Sequence, residues 1–281
     1  MPNQLRALAA TLIAVLTGIE LFAQAGDAEA VRDRLDRYLV GYEPQLSALI
    51  ADELMTQRTR NRWVVNHQRI ESEVAFIALP AGAGWMGFRR VIKRNGKAIK
   101  DRGVPLGQLM VEGASDDFDQ ARLLLADSAA YNLGAPRTIN LPNLPLELLH
   151  PRNRHRFMQQ VYEQREKIRG TETVLLRFDE ISTPTIIQQP GTGDMKTVVW
   201  AWIEPTSGQL LRAQVTARDA RLGGSPFVAE IRVDFREDPK VGMLVPVEMN
   251  EKFFVDNGTG EGTAKYTNYR RFQTSARIVP Q

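Results

Sequence analysis

The chain has 281 residues, a formal net charge of +3 and no cysteine. A charge this close to neutral argues against a nucleic-acid-binding protein, which usually carries a concentrated basic face. The absence of cysteine excludes disulfides, thiolate metal sites, cysteine nucleophiles and a lipidated cysteine, while 43% hydrophobic residues suffice for a buried core.

The first 25 residues have the pattern of a secretion signal. Arg6 precedes an apolar run over residues 7–19, and Ala23-Gln24-Ala25 is the small-x-small pattern that signal peptidase recognises. The run is too short to span a bilayer core of roughly 30 Å. We therefore expect cleavage of residues 1–25, no transmembrane anchor afterwards, and export to the periplasm or the extracellular space.

An amphipathic helix should follow the signal. Apolar residues from Val31 to Leu54 recur at helical spacing, and Asp27 is placed to cap the first turn. Pro44 falls inside the pattern and should kink or split this helix. From Arg62 the period changes towards strands, with a hairpin signal at Asn95-Gly96.

The middle of the chain predicts a second helix and two less regular segments. Asp116, Asp117 and Asp119 favour the start of a helix that ends near Gly134. Residues 139–151 fit a short helix or irregular packing, because they carry three prolines among leucines. Residues 156–169 are compatible with a helix or a strand, and the alternation of Phe157, Gln159, Val161 and Glu163 favours the strand.

The sequence from residue 171 onwards predicts five or six antiparallel strands. In one of them Phe227, Ala229, Ile231, Val233 and Phe235 alternate with charged residues, which requires one buried and one wet face. The predicted helices are available to cover the buried face. We expect an α+β fold and a single domain over residues 26–281.

Several blocks in the middle of the chain resemble an uncharacterised family of secreted bacterial proteins. They are Trp85-Met86-Gly87-Phe88-Arg89-Arg90-Val91, Asn95-Gly96-Lys97 with Asp101-Arg102, Tyr131-Asn132-Leu133-Gly134, and Asn140-Leu141-Pro142 with Leu148, Pro151 and Phe157. Arg90 departs from the family pattern, in which an acid is expected at that position.

Residues 200–211, with the sequence WAWIEPTSGQLL, resemble the strand, acidic turn, glycine and returning strand of a second group. This group comprises the carriers that shuttle lipoproteins to the outer membrane and the related periplasmic sensor domains. The resemblance implies a half-open barrel, a curved antiparallel sheet with helices packed on its concave apolar face. It also implies an apolar cavity between sheet and helices.

Motifs for catalysis or metal binding are not recognisable in the sequence. His67, His150 and His155 stand in no metal-ligand spacing, and no serine stands in a nucleophile elbow. We predict no catalytic residue, metal or cofactor, and favour a protein that is not an enzyme. Arg152, Arg154 and Arg156 form a basic run that is either a solvated face or a surface for anionic head groups or an acidic partner.

The predicted function is non-enzymatic binding of a lipid, lipoprotein, acylated peptide or other apolar molecule in the cell envelope. The alternative is an envelope interaction or sensor module that has a packed core and binds a protein partner. If a cavity exists, its predicted lining consists of Trp63, Trp85, Trp200, Trp202, Phe227, Ile231 and Phe235.

Overall fold

The computed structural model describes residues 28–78, 84–99, 125–134, 137–189, 193–219, 229–255 and 258–271. Three predictions lie outside these residues: the signal peptide, the helix start at Asp116, Asp117 and Asp119, and the position of Phe227.

Twelve strands form the bulk of the described chain. The first four are β1 (Leu49–Asn61), β2 (Val65–Ala78), β3 (Trp85–Arg94) and β4 (Lys97–Ala98). The next four are β5 (Phe157–Ile168), β6 (Thr171–Glu180), β7 (Gln188–Gln189) and β8 (Gly193–Ile203). The last four are β9 (Leu210–Asp219), β10 (Ala229–Asp238), β11 (Met243–Val255) and β12 (Gly258–Arg271).

The strands form one open antiparallel sheet in the order β4-β3-β2-β1-β12-β11-β10-β9-β8-β6-β5, and β7 pairs with β8 at the side. The meander predicted for the C-terminal half is confirmed, because β8 to β12 are neighbours in chain order. β1 pairs with β12 over nearly its whole length, which joins the N-terminal hairpins to the meander.

Helices cover the apolar face of this curved sheet, which confirms the predicted α+β half-barrel. The helices that contribute to the core are α1 (28–46) and α3 (Leu144–Leu149). The described chain also contains α2 (125–130), whose Leu125 packs against a separate small cluster with Ile50 and Phe88, and the 3₁₀ helix Pro151–Arg156, which has no buried residue. In the described part of the chain, no helix is both long enough and apolar enough to cross a membrane.

Helix α1 contributes one apolar stripe to the core. Its buried residues recur at helical spacing and are Ala28, Val31, Leu35, Leu39, Tyr42 and Leu46. Tyr42 also donates a hydrogen bond to the Leu244 carbonyl, 2.8 Å away, which ties α1 to the start of β11. Gly208, in the turn between β8 and β9, lies directly against the Arg34 backbone and leaves no space for a side chain.

The first helix is shorter than the sequence predicted. It ends at residue 46, with Pro44 in its last turn and without a break, and β1 begins at Leu49. The helical spacing that continued to Leu54 is therefore coincidental. β1 instead alternates between a buried row and a more exposed row, as a sheet strand with one covered face does. The ambiguous segment after residue 156 is a strand, β5, as favoured.

The inner face of the sheet is apolar across β8, β9 and β10. Ile231, Val233 and Phe235 are buried there, while Glu230 and Arg232 are less buried, which confirms the predicted alternation of β10. These side chains join those of α1 and α3 in one continuous core. Side chains of the described residues fill the inner face in this region, where an apolar cavity was expected.

Candidate functional site

The predicted lining residues do not converge on one space. Trp85, Ile231 and Phe235 are buried in the core on the inner face. Trp200 and Trp202 lie on the outer face of β8, because the inner positions of that strand are taken by Val199, Ala201 and Ile203. Trp63 lies in the turn between β1 and β2 and not in a strand, and its side chain is 81% exposed.

The two outer-face tryptophans pack against charged side chains of neighbouring strands. The Trp202 Nε1 atom donates to the Glu166 carboxylate at 2.7 Å, and the Arg212 guanidinium lies 5.8 Å from the Trp202 ring centroid. Arg177 lies 5.3 Å from the Trp200 ring centroid. These contacts brace the outer face of the sheet and do not form a wall between sheet and helices.

The basic run Arg152, Arg154 and Arg156 is neither a solvated face nor an open cationic surface. Each side chain is about one-fifth exposed and lies beside a carboxylate from another element. Arg152 pairs with Glu43 of α1 at 2.5 Å, and Arg154 pairs with Asp36 of the same helix. These arginines fasten the 3₁₀ helix to α1 and to the end of β6, since Arg156 lies 3.8 Å from the Glu180 carboxylate.

His150 lies inside this cluster and is neutral at pH 7. Burial, followed by the charges of Arg152 and Arg154, lowers the pKa of His150 to about 4. Its Nδ1 atom accepts a hydrogen bond from the Arg152 backbone amide at 3.3 Å, so the Nε2 atom carries the proton. The Nε2 atom is 3.2 Å from Glu43, and this contact joins a neutral ring to a carboxylate.

A cleft of about 260 Å³ opens where β3 meets α3 and the segment before it. Apolar side chains dominate its lining, with the indole of Trp85 among them. The apolar lining residues are Trp85, Met86, Leu125, Ile139, Leu141, Leu144, Ile186 and Ile187. At this cleft apolar side chains of the inner face, such as Trp85 and Leu141, meet an opening together with Met86 and Leu125 of a smaller cluster, and we take it as the candidate site.

Trp85 is held in place from two sides. Its ring meets that of Tyr42 edge-on, with 6.0 Å between ring centroids, and its carbonyl accepts a hydrogen bond from Asn143 Nδ2 at 3.1 Å. Trp85 is 4% exposed, and its Nε1 donor has no partner among the described residues. A buried donor without a partner is costly, so an acceptor that reached this nitrogen would be favourable.

Polar groups at the cleft are few. The Oδ1 atom of Asn143 lies against Gly87, which explains why β3 carries a glycine here: a Cβ atom at this position would collide with the amide. Glu147 accepts a hydrogen bond from Asn153 Nδ2 at 2.9 Å and lies 3.6 Å from Arg152. Burial raises the pKa of Glu147, opposed by the Arg152 charge.

A buried ion pair anchors the segment made of residues 131–134 and 137–143, of which Thr138, Ile139, Leu141 and Asn143 line the cleft. Arg89 of β3 makes a two-point contact with Glu53 of β1, at 2.5 and 2.8 Å, and both side chains are almost wholly buried. Arg89 Nη2 also donates to the Asn140 carbonyl at 2.8 Å. Asn140 Nδ2 in turn donates to Asn132 Oδ1 at 2.7 Å.

The same segment is bound to β1 and β11 by amides and a second ion pair. Gln57 Nε2 donates to Asn132 Oδ1 at 3.0 Å and to Glu251 Oε1 at 2.7 Å. Arg137 pairs with Glu251 at 3.0 Å, and its guanidinium lies 3.5 Å from the ring centroid of Phe253. Among the described residues, this part of the inner face is therefore occupied by polar side chains that bond to one another.

Sequence reasoning did not find this polar network. Glu53 falls inside the predicted first helix and Gln57 lies just after it. Arg89 and Asn140 stand only in the blocks that resemble the uncharacterised family. Arg90, the position that departs from the family pattern, lies on the outer face and is 3.6 Å from Glu73. The adjacent pair Arg89-Arg90 could have indicated the buried arginine, because one of two consecutive residues in a strand must face inwards.

The described residues give no sign of a metal centre. They contain no cluster of three or more histidine, aspartate or glutamate side chains that could hold a metal ion. The fold and the cleft together define a half-open antiparallel barrel whose inner face is closed by a helix and by a hydrogen-bonded segment, with an apolar cleft at its margin.

Solved structures with a similar chain path come from envelope proteins and a family of unknown function. A DUF1329 family protein from Desulfovibrio piger is 9% identical, with a TM-score of 0.43, over 89% of this chain and 94% of that chain. A putative outer membrane lipoprotein-sorting protein domain from Vibrio parahaemolyticus is 11% identical, with a TM-score of 0.44, over 87% and 93%.

A LolA superfamily protein from Nitrosomonas europaea is 11% identical, with a TM-score of 0.36, over 88% of this chain and 97% of that chain. Lipoprotein-sorting proteins, the group that residues 200–211 resemble, are thus among the structures with a similar chain path. No protein-family model and no curated protein matches the chain.

Proposed function

We propose that this chain is an exported, non-enzymatic binding protein of the cell envelope that holds one acyl chain, of a lipid or an acylated peptide, in the cleft beside Trp85. The observation that carries the proposal is the opening itself: eight apolar side chains line it, and a buried indole donor there has no partner among the described residues. Sites for apolar ligands combine such a lining with a few convergent polar groups.

The size of the cleft restricts what it holds. Its volume of about 260 Å³ lies just below the roughly 300–1,000 Å³ typical of pockets for drug-sized ligands. Because the core behind Trp85 is filled, a lipid with several chains has no room at its full length. A single chain comes closer to this volume, and Gln188, which also lines the cleft, can donate a hydrogen bond to its polar end.

The test is ligand uptake measured by native mass spectrometry. Protein purified without detergent is incubated with palmitic acid or with a singly acylated peptide, and we expect one molecule bound per chain. Ile139→Trp places a larger side chain in the cleft and should abolish uptake. Ile181→Trp, at a 56% exposed site outside the cleft, is the matched control and should bind as the wild type does.

The packed inner face favours a second candidate function, an interaction module without a small ligand. The acyl-chain proposal would be refuted if wild-type protein is purified without a bound ligand and takes up neither palmitic acid nor the acylated peptide. The same result would favour the interaction module, because a filled core needs no ligand to be complete.

A further inference from the structure

The turn between β1 and β2 exposes an apolar tip whose presentation is built by hydrogen bonds. Asn61 Oδ1 accepts hydrogen bonds from the backbone amides of Trp63 and Val64 at 2.9 and 2.7 Å. The backbone amide of Asn61 donates to the Val64 carbonyl at 3.1 Å. The turn is thereby closed with the Trp63 side chain outside it. Trp63, Val64 and Val65 are 81%, 47% and 44% exposed, so three consecutive apolar residues face solvent.

Cations surround this tip. Arg60 and Arg62 are exposed on either side of Asn61, and within the described part of the chain neither guanidinium lies beside a carboxylate. The Arg62 guanidinium lies 5.0 Å from the Trp63 ring centroid. Arg58 of β1 and Lys252 of β11, on the far side of β12, line a cleft of about 300 Å³ together with Arg60.

Two described acids lie among these cations, Glu261 of β12 and Glu230 of β10, and Glu230 is the register partner of Lys252. Glu261 lies between the strands that carry Arg58 and Lys252, and it is 3.5 Å from Arg58. The described surface around the tip therefore carries an excess of positive charge, although the whole chain has a net charge of only +3. This excess is local and lies at the end of the strands, where the tip protrudes.

We propose that the β1–β2 tip is a docking point for a bilayer rich in anionic phospholipid. Tryptophan is enriched at the membrane–water interface, because its ring is apolar and its N–H remains in reach of polar groups. Arginines beside it would meet the lipid phosphates, since a guanidinium matches phosphate geometry. A membrane suits this feature better than a protein partner does, because a narrow protruding turn offers far less than the roughly 800 Å² that each partner buries in a stable protein interface.

This proposal is independent of the ligand cleft, which lies beside β3 and α3. It concerns where the protein docks and not what it holds. Both sites can therefore fail or succeed separately, and vesicle binding is measured with protein that has received no ligand.

The test is co-sedimentation with vesicles at 0.1 M salt. Wild-type protein should bind vesicles of phosphatidylglycerol and phosphatidylcholine and should bind pure phosphatidylcholine much more weakly. Trp63→Ser should reduce the affinity roughly tenfold, from the apolar area withdrawn from the interface. Arg60→Gln with Arg62→Gln should reduce it by about 25-fold, at about fivefold for each cation near an anionic surface.

Matched controls separate the tip from general charge and apolarity. Arg236→Gln with Lys240→Gln removes two exposed cations at the opposite end of the strands, and Ile181→Ser removes an exposed apolar side chain elsewhere. Both controls should bind within twofold of the wild type. Brominated lipids should quench fluorescence of the wild type more than that of Trp63→Phe, which reports on insertion of the indole itself.

Three results would overturn the proposal. One is absence of wild-type binding to anionic vesicles, which would leave the tip as a contact for an acidic protein. Another is unchanged binding of Trp63→Ser and of the double arginine variant. The third is an equal loss in the control variants. Thermal unfolding checks that the tip variants fold, and their melting temperatures should not change because these side chains are exposed.

Discussion

Replacing Arg89 by methionine should destabilise the fold more than any surface substitution. The change leaves the Glu53 carboxylate without its two-point partner at a position where both side chains are at most 1% exposed, so water cannot replace the lost contact. It also removes a donor to the Asn140 carbonyl. Removing one member of a buried pair costs about 3–5 kcal/mol. For a protein of this size, about 4 kcal/mol lowers Tm by roughly 8–16 °C.

Urea unfolding followed by tryptophan fluorescence measures this cost directly. The matched control is Arg90→Met, the next residue in β3, which faces outwards with a side chain 26% exposed and lies 3.6 Å from Glu73. Its expected cost is below about 1 kcal/mol, the usual value for exposed pairs. The double variant Glu53→Gln with Arg89→Met should lose less than the sum of the single changes, because the unpaired charge is then absent.

The reasoning is refuted if Arg89→Met costs less than about 1 kcal/mol, or if Arg90→Met costs as much. Either result would mean that the Glu53 carboxylate finds another partner or reaches water. Arg89→Lys adds a graded test, since lysine keeps the charge but cannot make the two-point contact. Its stability should fall between that of the wild type and that of Arg89→Met.

Two further predictions concern Gly208 and His150, which contact α1. Gly208→Ala should lower the free energy of unfolding by more than about 2 kcal/mol, because the residue has φ +78° and its Cβ atom would lie 2.6 Å from the Leu35 amide nitrogen. Gly242→Ala, at φ +68° with open space around it, should lower it by only about 1 kcal/mol. Equal losses for the two variants in urea unfolding would contradict this reasoning. His150 has a folded-state pKa of about 4 against an ordinary value near 6.5, so the unfolded chain binds a proton first as pH falls, and stability should decrease from pH 6.5 to 4. His150→Gln should flatten that part of the stability profile, and an unchanged slope would exclude His150 as its source.

Much of the sheet could be predicted because its C-terminal strands alternate plainly. Ile231, Val233 and Phe235 are apolar and buried, and their neighbours are charged, so period two fixes both the strand and its inner face. β1 escaped prediction for the opposite reason. Its inner positions include the polar residues Glu53 and Gln57, so the buried row does not read as hydrophobic.

The site was harder to predict, since its contacts depend on register and on distant partners. β8 is apolar on both faces near Trp200, and only the pairing of Ala201 with Ala213 decides that Ala201 lies inside. Arg154 read as a free cation because its carboxylate partner, Asp36, is 118 residues away. Alternation within one strand carries neither kind of information.

The polar network also determines the shape of the apolar cleft. Asn140 is directed towards Arg89 and Asn132, while the residues on both sides of it, Ile139 and Leu141, line the opening. Apolar packing alone tolerates several positions for a covering segment, whereas a two-point ion pair and paired amides accept only one. Ile139 and Leu141 therefore owe their place beside Trp85 to hydrogen bonds on the opposite side of the segment. The candidate site is thus positioned by polar contacts of the inner face, although its own lining is mostly apolar.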